Sequence, residues 1–195
     1  IRKLYSDNFV GIADGGDILS FARVGLKSKY YLDSGVFGCL GIGIPYSIVA
    51  AEIHKDIPTI CVIGDGSFGF NAMELDTAVR NKSNICIIIS NNAGWNIEIH
   101  DQKLNYGNRV YGTTLRHTNY AQMAEGLGAY GIRVTDPEDL EKSIYKAVKN
   151  TPSVVDVITS STVLSSDAIK GLGFVPKYQA LDVWNDLEKK FRKGD

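Results

Sequence analysis

The residues best placed to do chemistry are a carboxylate inside a glycine run and an amide after an apolar run. Asp65 stands in Gly64-Asp65-Gly66-Ser67-Phe68-Gly69, directly after Ile60-Cys61-Val62-Ile63, and Asn92 closes the stretch Ile85-Cys86-Ile87-Ile88-Ile89-Ser90-Asn91-Asn92. Gly64, Gly66 and Gly69 fit the G-x-G-x-x-G spacing by which a backbone approaches a dinucleotide pyrophosphate. That reading wants an acidic residue about 20 positions on to hold a ribose hydroxyl, where this chain offers Ser90, Asn91 and Asn92. It also sets the Asp65 carboxylate against a diphosphate, and like charges repel strongly in a dry site. A divalent cation removes the conflict. Mg²⁺ takes oxygen ligands and bridges one or two protein oxygens to substrate phosphates, so Asp65, the amide oxygen of Asn92 and a backbone carbonyl make a partial shell.

Such a shell has to be positioned by the elements around it. Both apolar runs are short, β-branched and without alternation, as expected of strands buried on both faces of a parallel sheet. Between them, Asn71-Ala72-Met73-Glu74 has capping-box spacing, and Leu75, Ala78 and Val79 repeat at helical intervals. The expected order is therefore strand, glycine loop, helix, strand. Asp65 and Asn92 then fall just past strand carboxyl ends, where open α/β sheets bind ligands.

Gly64-Asp65-Gly66 followed, after Ser90, by Asn91-Asn92 resembles the cofactor motif of thiamine diphosphate enzymes such as acetolactate synthase, pyruvate decarboxylase and benzaldehyde lyase. The resemblance implies that Asp65, Asn92 and the Gly94 carbonyl hold Mg²⁺, and that amides around Gly66 and Ser67 hold the diphosphate, with Gly64 and Ile97 beside it. Asp33-Ser34-Gly35-Val36-Phe37-Gly38-Cys39-Leu40-Gly41-Ile42-Gly43-Ile44-Pro45 resembles the family's aminopyrimidine-binding segment. By that match Gly38 would accept from the 4′-amino group, Cys39 would lie beside it, and Leu40 would wedge between the two cofactor rings. Decarboxylases of the family carry a working glutamate at the position of Glu98. A first-turn helix residue meeting exposed amides is the plainer account of Glu98.

The remaining chain fits one α/β domain. With 195 residues, 44% hydrophobic, 22% charged and a net charge of −1, it can bury a sizeable core. There is no basic run to suit nucleic acid, and no apolar stretch of the roughly 20 residues a membrane span needs. Ile1 to Phe9 lacks a signal-peptide core, and the absence of an initiator methionine suggests a fragment. Cys39, Cys61 and Cys86 are isolated in apolar or glycine-rich sequence, which predicts buried reduced thiols and a cytoplasmic location. Val10 to Ala13 reads as a first strand. Asp14-Gly15-Gly16-Asp17 reads as a turn, or as part of the ligand edge. Tyr46 to Ile53 is a helix with Pro45 in its first turn. Trp95 either walls the site or packs as core, and His100 and His117 read as structural. Lys103 to Thr118 has no periodicity, Tyr120 to Leu127 resumes it, Ala129 to Val134 is a strand, and Asp136-Pro137 caps a helix with Leu140, Ile144, Ala147 and Val148 inward. Ser153 to Ile158 is the last strand.

The expected architecture is a doubly wound, mostly parallel sheet with helices on both faces, the thiamine diphosphate-binding fold. Residues 1–158 form the diphosphate- and Mg-binding domain. Residues 159–195 form an extension, with a loop at Ser165 to Leu172 and an amphipathic helix presenting Leu181, Trp184, Leu187 and Phe191 to the same or a neighbouring domain. The resemblance further implies an acetolactate synthase-like enzyme acting on 2-oxo acids by decarboxylation with carboligation. It would work as a homodimer or tetramer and would need a pyrimidine-binding domain whose glutamate is not assignable in this chain. A 2-oxo acid decarboxylase of the pyruvate or indolepyruvate type is the alternative, as is a non-catalytic cofactor-binding subunit.

Overall fold

The computed structural model describes residues 1–169 and 182–193. Its strands are β1 (Val10–Asp14), β2 (Tyr30–Leu32), β3 (Thr59–Gly64), β4 (Ile85–Asn91), β5 (Tyr130–Val134) and β6 (Ser153–Ile158). They form one sheet in the order β2-β1-β3-β4-β6-β5, and every neighbouring pair is parallel. The helices are α1 (Arg2–Tyr5), α2 (Asp17–Gly25), α3 (Gly43–Ile53), α4 (Asp65–Asn71), α5 (Glu74–Arg80), α6 (Asn96–Asn105), α7 (Tyr120–Gly126), α8 (Leu140–Ala147) and α9 (Asp182–Lys193).

The period-two alternation of strand side chains divides the core between two faces. Ile12, Cys61, Ile63, Ile87 and Ile89 face α3, α4, α5 and α7, while Phe9, Ile60, Cys86, Ile88 and Val155 face α1, α2 and α8. That is why β3 and β4 read as unbroken apolar runs. The inward residues named for α8 pack in the second layer.

Helix α7 lies close against β5. A Cβ built on Gly131 would stand 2.1 Å from the Ala121 carbonyl oxygen, a backbone atom that no rotamer change can withdraw. Gly131→Ala is expected to lower stability by about 3 kcal/mol, at the upper end for overpacking, measured as a reduced urea midpoint at unchanged m-value.

Three sequence expectations need correction. The glycine run is not a loop: Gly64 is extended and the chain turns directly into α4 at Asp65, with Phe68 fully buried in the core. Burial of Phe68 outweighs the poor helix propensity of Gly66 and Gly69. Asn71 caps nothing, because its Nδ2 donates to the Gly41 carbonyl at 2.7 Å and α5 begins at Glu74 without a side-chain cap. Cys39 is exposed, whereas Cys61 and Cys86 are buried and free. It lies between turns at Gly38 (φ 60°) and Gly41 (φ 90°), in a segment where Val36 is 98% and Phe37 88% exposed.

In the tail, residues 163–169 pack back on the start of α2. Ser165 and Ala168 are buried, and the Ser165 amide donates to Asp17 Oδ1 at 2.8 Å. Residues 170–172 of the expected loop, together with Leu181 and the side chain of Trp184, lie outside the described residues. Leu187 and Phe191 are exposed, and the Arg109 guanidinium sits 4.1 Å from the Phe191 ring centroid. No helix among the described residues is long and apolar enough to cross a membrane.

Candidate functional site

Strand β1 leads through α2 to β2 on one side, and the chain then returns through α3 to β3 on the other. This divergence leaves a crevice beyond the carboxyl ends of β1 and β3, where ligands bind in open α/β sheets. A cavity of about 350 Å³ lies there. Its walls are the β1–α2 turn (Gly15 to Ile18), the 34–40 segment, the first turn of α4 and the β4–α6 connection.

Of the residues singled out from sequence, Gly38, Leu40, Gly64, Asp65, Gly66, Ser67, Asn92, Gly94, Ile97 and Glu98 all line this one cavity, and Cys39 does not. Asp17 and Trp95 line it too, while His100 and His117 do not. Trp95 is thus a wall of the site. Its indole lies against Gly66, where a Cβ would come within 2.9 Å of the ring, and it meets Phe70 edge-on at 5.7 Å.

Asp65 lies at the bottom of the cavity, 2% exposed. Its Oδ1 accepts from the Gly66 amide at 2.9 Å, and its Oδ2 is buried with no partner. Burial pushes the carboxyl above its ordinary range, opposed by the amides of Gly66, Ala93 and Gly94. Asn92 Oδ1 accepts from the Gly94 amide at 3.2 Å, and the intervening Ala93 has φ 58°. Strand bonding to the loop holds this turn, with Trp95 donating to Thr113 and Leu115 to Ala93. Glu98 is exposed. Partial burial nevertheless pushes its carboxyl above the ordinary glutamate value; its own amide opposes the shift and the charge of Asp101 adds to it.

The bracing roles of several residues were not visible in the sequence. Asp14 is fully buried rather than at the ligand edge; its Oδ2 accepts from Gly43 at 2.8 Å and its Oδ1 from Gly41 at 3.3 Å, which holds the end of the 34–43 segment against β1. Burial pushes its carboxyl up, against the pull of these two amides and the Ser67 hydroxyl. Asn91 Nδ2 donates to Asp156 Oδ1 at 2.8 Å and to the Thr118 carbonyl at 3.0 Å. His117 Nδ1 meets Asn91 Oδ1 at 3.3 Å, so its role is structural. Asn96, the first residue of α6, is buried and lines the cavity as well. It carries no motif signal beyond its place at a helix start.

Among the described residues no three His, Cys, Asp or Glu side chains converge as a self-sufficient metal site. The arrangement is instead one buried, half-paired carboxylate among amides at the switch point of an open parallel α/β sheet, the place where proteins of this class bind ligands. Residues 16–157 match the family described as thiamine pyrophosphate enzyme, C-terminal TPP binding domain. The chain is 35% identical over 156 residues to an acetolactate synthase large subunit of Mycobacterium tuberculosis, covering 78% of this chain and 28% of that protein. It is 31% identical over 173 residues to 2-hydroxyacyl-CoA lyase 2 of Bos taurus, covering 83% and 27%. The chain therefore belongs to the thiamine pyrophosphate (thiamine diphosphate) enzyme family, through its C-terminal TPP-binding domain. It spans 28% or less of the length of these two relatives.

Proposed function

We propose that this chain holds the diphosphate and Mg²⁺ of thiamine diphosphate in an acetolactate synthase-like enzyme that decarboxylates 2-oxo acids and ligates the product to a second carbonyl. The observation that carries the reading is Asp65 Oδ2, a buried and unpaired carboxylate oxygen in the switch-point cavity. Leaving such an atom unpaired is costly, and a cation beside it removes the cost. Asp65, the Asn92 amide oxygen and the Gly94 carbonyl would hold the metal. Gly66, Ser67 and the first turn of α6, including Ile97, would receive the diphosphate, with Gly64 at the turn. Gly38 and Leu40 would meet the pyrimidine side, with the exposed Cys39 between them. Residues 1–158 form the cofactor domain and 159–195 its extension.

When bound, thiamine diphosphate supplies the carbon that adds to a substrate carbonyl and accommodates the electron pair released as the neighbouring bond breaks. The chain's own residues orient that carbon and handle protons. Desolvation favours the neutral acid of Glu98, the state that can donate a proton and lie beside a substrate carboxylate without repulsion. The sign follows: activity needing protonated Glu98 is present below its raised pKa and falls as pH climbs through it. The alkaline limb of kcat is expected above the ordinary 4.5, and Glu98→Gln should remove that limb with a rate loss of about 10²-fold or more.

A pyrimidine-binding domain of the same enzyme, within a homodimer or tetramer, would cover the open side. The near-complete exposure of Val36 at the rim and of its neighbour Phe37 supports a covering partner. Two other reactions compete. The acidic Glu98 suits a simple 2-oxo acid decarboxylase, and the relation to 2-hydroxyacyl-CoA lyases suits cleavage of a 2-hydroxyacyl thioester. Product analysis on the full-length protein with thiamine diphosphate and Mg²⁺ separates them. A 2-oxo acid should give carbon dioxide and a ligated hydroxyketone; free aldehyde alone would mean a decarboxylase. Cleavage of a 2-hydroxyacyl thioester would mean a lyase, and no turnover of either substrate a non-catalytic subunit.

A further inference from the structure

Asn96 opens α6 with its side chain on the cavity wall, and only 6% of the residue is exposed. Neither its Oδ1 nor its Nδ2 has a hydrogen-bond partner within the protein. A buried amide unpaired at both ends is an expensive use of asparagine, because donor and acceptor have both lost water. The neighbours indicate what would satisfy it. Oδ1 lies beside Gly94, 3.9 Å from where a Cβ on that residue would stand. Asp65, which supplies another unpaired buried acceptor, interacts with the amides of Ala93 and Gly94. Two buried acceptors close to Gly94, Asp65 Oδ2 and Asn96 Oδ1, suit a cation or the water it carries, and the unpaired Nδ2 donor suits an anionic oxygen.

We propose that Asn96 binds the metal–diphosphate group directly, Oδ1 accepting from a water on Mg²⁺ and Nδ2 donating to a diphosphate oxygen. The inference rests on the thiamine diphosphate reading above and adds a side chain outside the Asp65, Asn92 and Gly94 set. It makes the first turn of α6 a two-part clamp, with backbone amides and one side-chain amide acting on the same group.

The role predicts opposite signs with and without cofactor. Asn96→Leu, which keeps the branching and the number of side-chain heavy atoms, removes two unpaired polar atoms, so the cofactor-free protein should melt at the wild-type temperature or above it. The rise in melting temperature produced by thiamine diphosphate with Mg²⁺ should be largely lost. Calorimetric affinity for thiamine diphosphate in Mg²⁺ should fall by about 10-fold or more. Wild type and Asp65→Ala are measured alongside. If Asp65→Ala loses binding while Asn96→Leu binds within about twofold of wild type, the role of Asn96 is overturned and the metal–diphosphate reading stands. If Asn96→Leu destabilises the cofactor-free protein as much as the loaded one, Asn96 is structural. If wild type binds no thiamine diphosphate with Mg²⁺, both fall.

Discussion

Asp65→Ala is expected to abolish the Mg²⁺-dependent part of thiamine diphosphate binding while leaving the cofactor-free protein as stable as wild type. Losing a residue that only supports a metal ligand costs about 10–100-fold in affinity, so losing the carboxylate itself should reach or exceed the upper end. The unchanged stability is the less obvious half. Oδ2 is buried without a partner, and burial raises the carboxyl's pKa, so the empty site carries an unfavourable group that alanine deletes. Titration calorimetry with and without Mg²⁺, together with melting curves of both cofactor-free proteins, tests the two halves. A variant that still binds in a metal-dependent way would remove Asp65 from the metal shell. A variant that loses binding because it is unfolded would show it in the melting curve.

Asp156→Ala, outside the cavity, should cost stability on the same scale as Gly131→Ala. The carboxylate is fully buried between Arg133 Nη1 at 3.3 Å, Asn91 Nδ2 at 2.8 Å and the Tyr120 amide at 3.1 Å. Removing one member of a buried ion pair costs about 3–5 kcal/mol. The lower end applies, because 26% of the Arg133 side chain remains exposed and can regain water. A lowered urea midpoint measures this. Asn91 also loses one of its two anchors and precedes Asn92 directly, so metal affinity should weaken in the same variant by about 10-fold, as for other supporting partners. Asp156→Asn, which keeps the shape and one acceptor, should recover part of both losses. A change below about 1 kcal/mol would show that the contacts of Asp156 contribute little.

Strands β3, β4 and β6 were legible because parallel strands buried on both faces leave continuous β-branched runs, and the motif residues could be placed because they follow those runs directly. Strand β2 was not. It has three residues, all exposed, at the sheet edge, so neither alternation nor a buried run marks it. The glycine run was misread because local propensity argues for a loop there, whereas the helix is fixed by Phe68 reaching a core built from β3, β4 and α7. Asp14 and Asp156 were invisible as supports for a related reason: their partners lie at Gly41 and Gly43, and at Asn91 and Tyr120, distances along the chain that no local pattern spans. Asn96 escaped because an asparagine at a helix start is ordinarily a capping residue, and only burial reveals that this one caps nothing.

The link between Asn91 and Asp156 also governs when the site can exist. Asp65, Asn92 and Asn96 emerge from the ribosome well before β6, yet the turn carrying Asn92 is anchored through Asn91 to a residue near the end of that last strand. A nascent chain holding β1, β3 and β4 alone has these side chains but not the brace beneath them. Domains fold as units as they leave the ribosome, so this anchor forms only when the sixth strand joins the sheet. A chain truncated before Asp156 would carry Asp65, Asn92 and Asn96 but lack this side-chain anchor of Asn91.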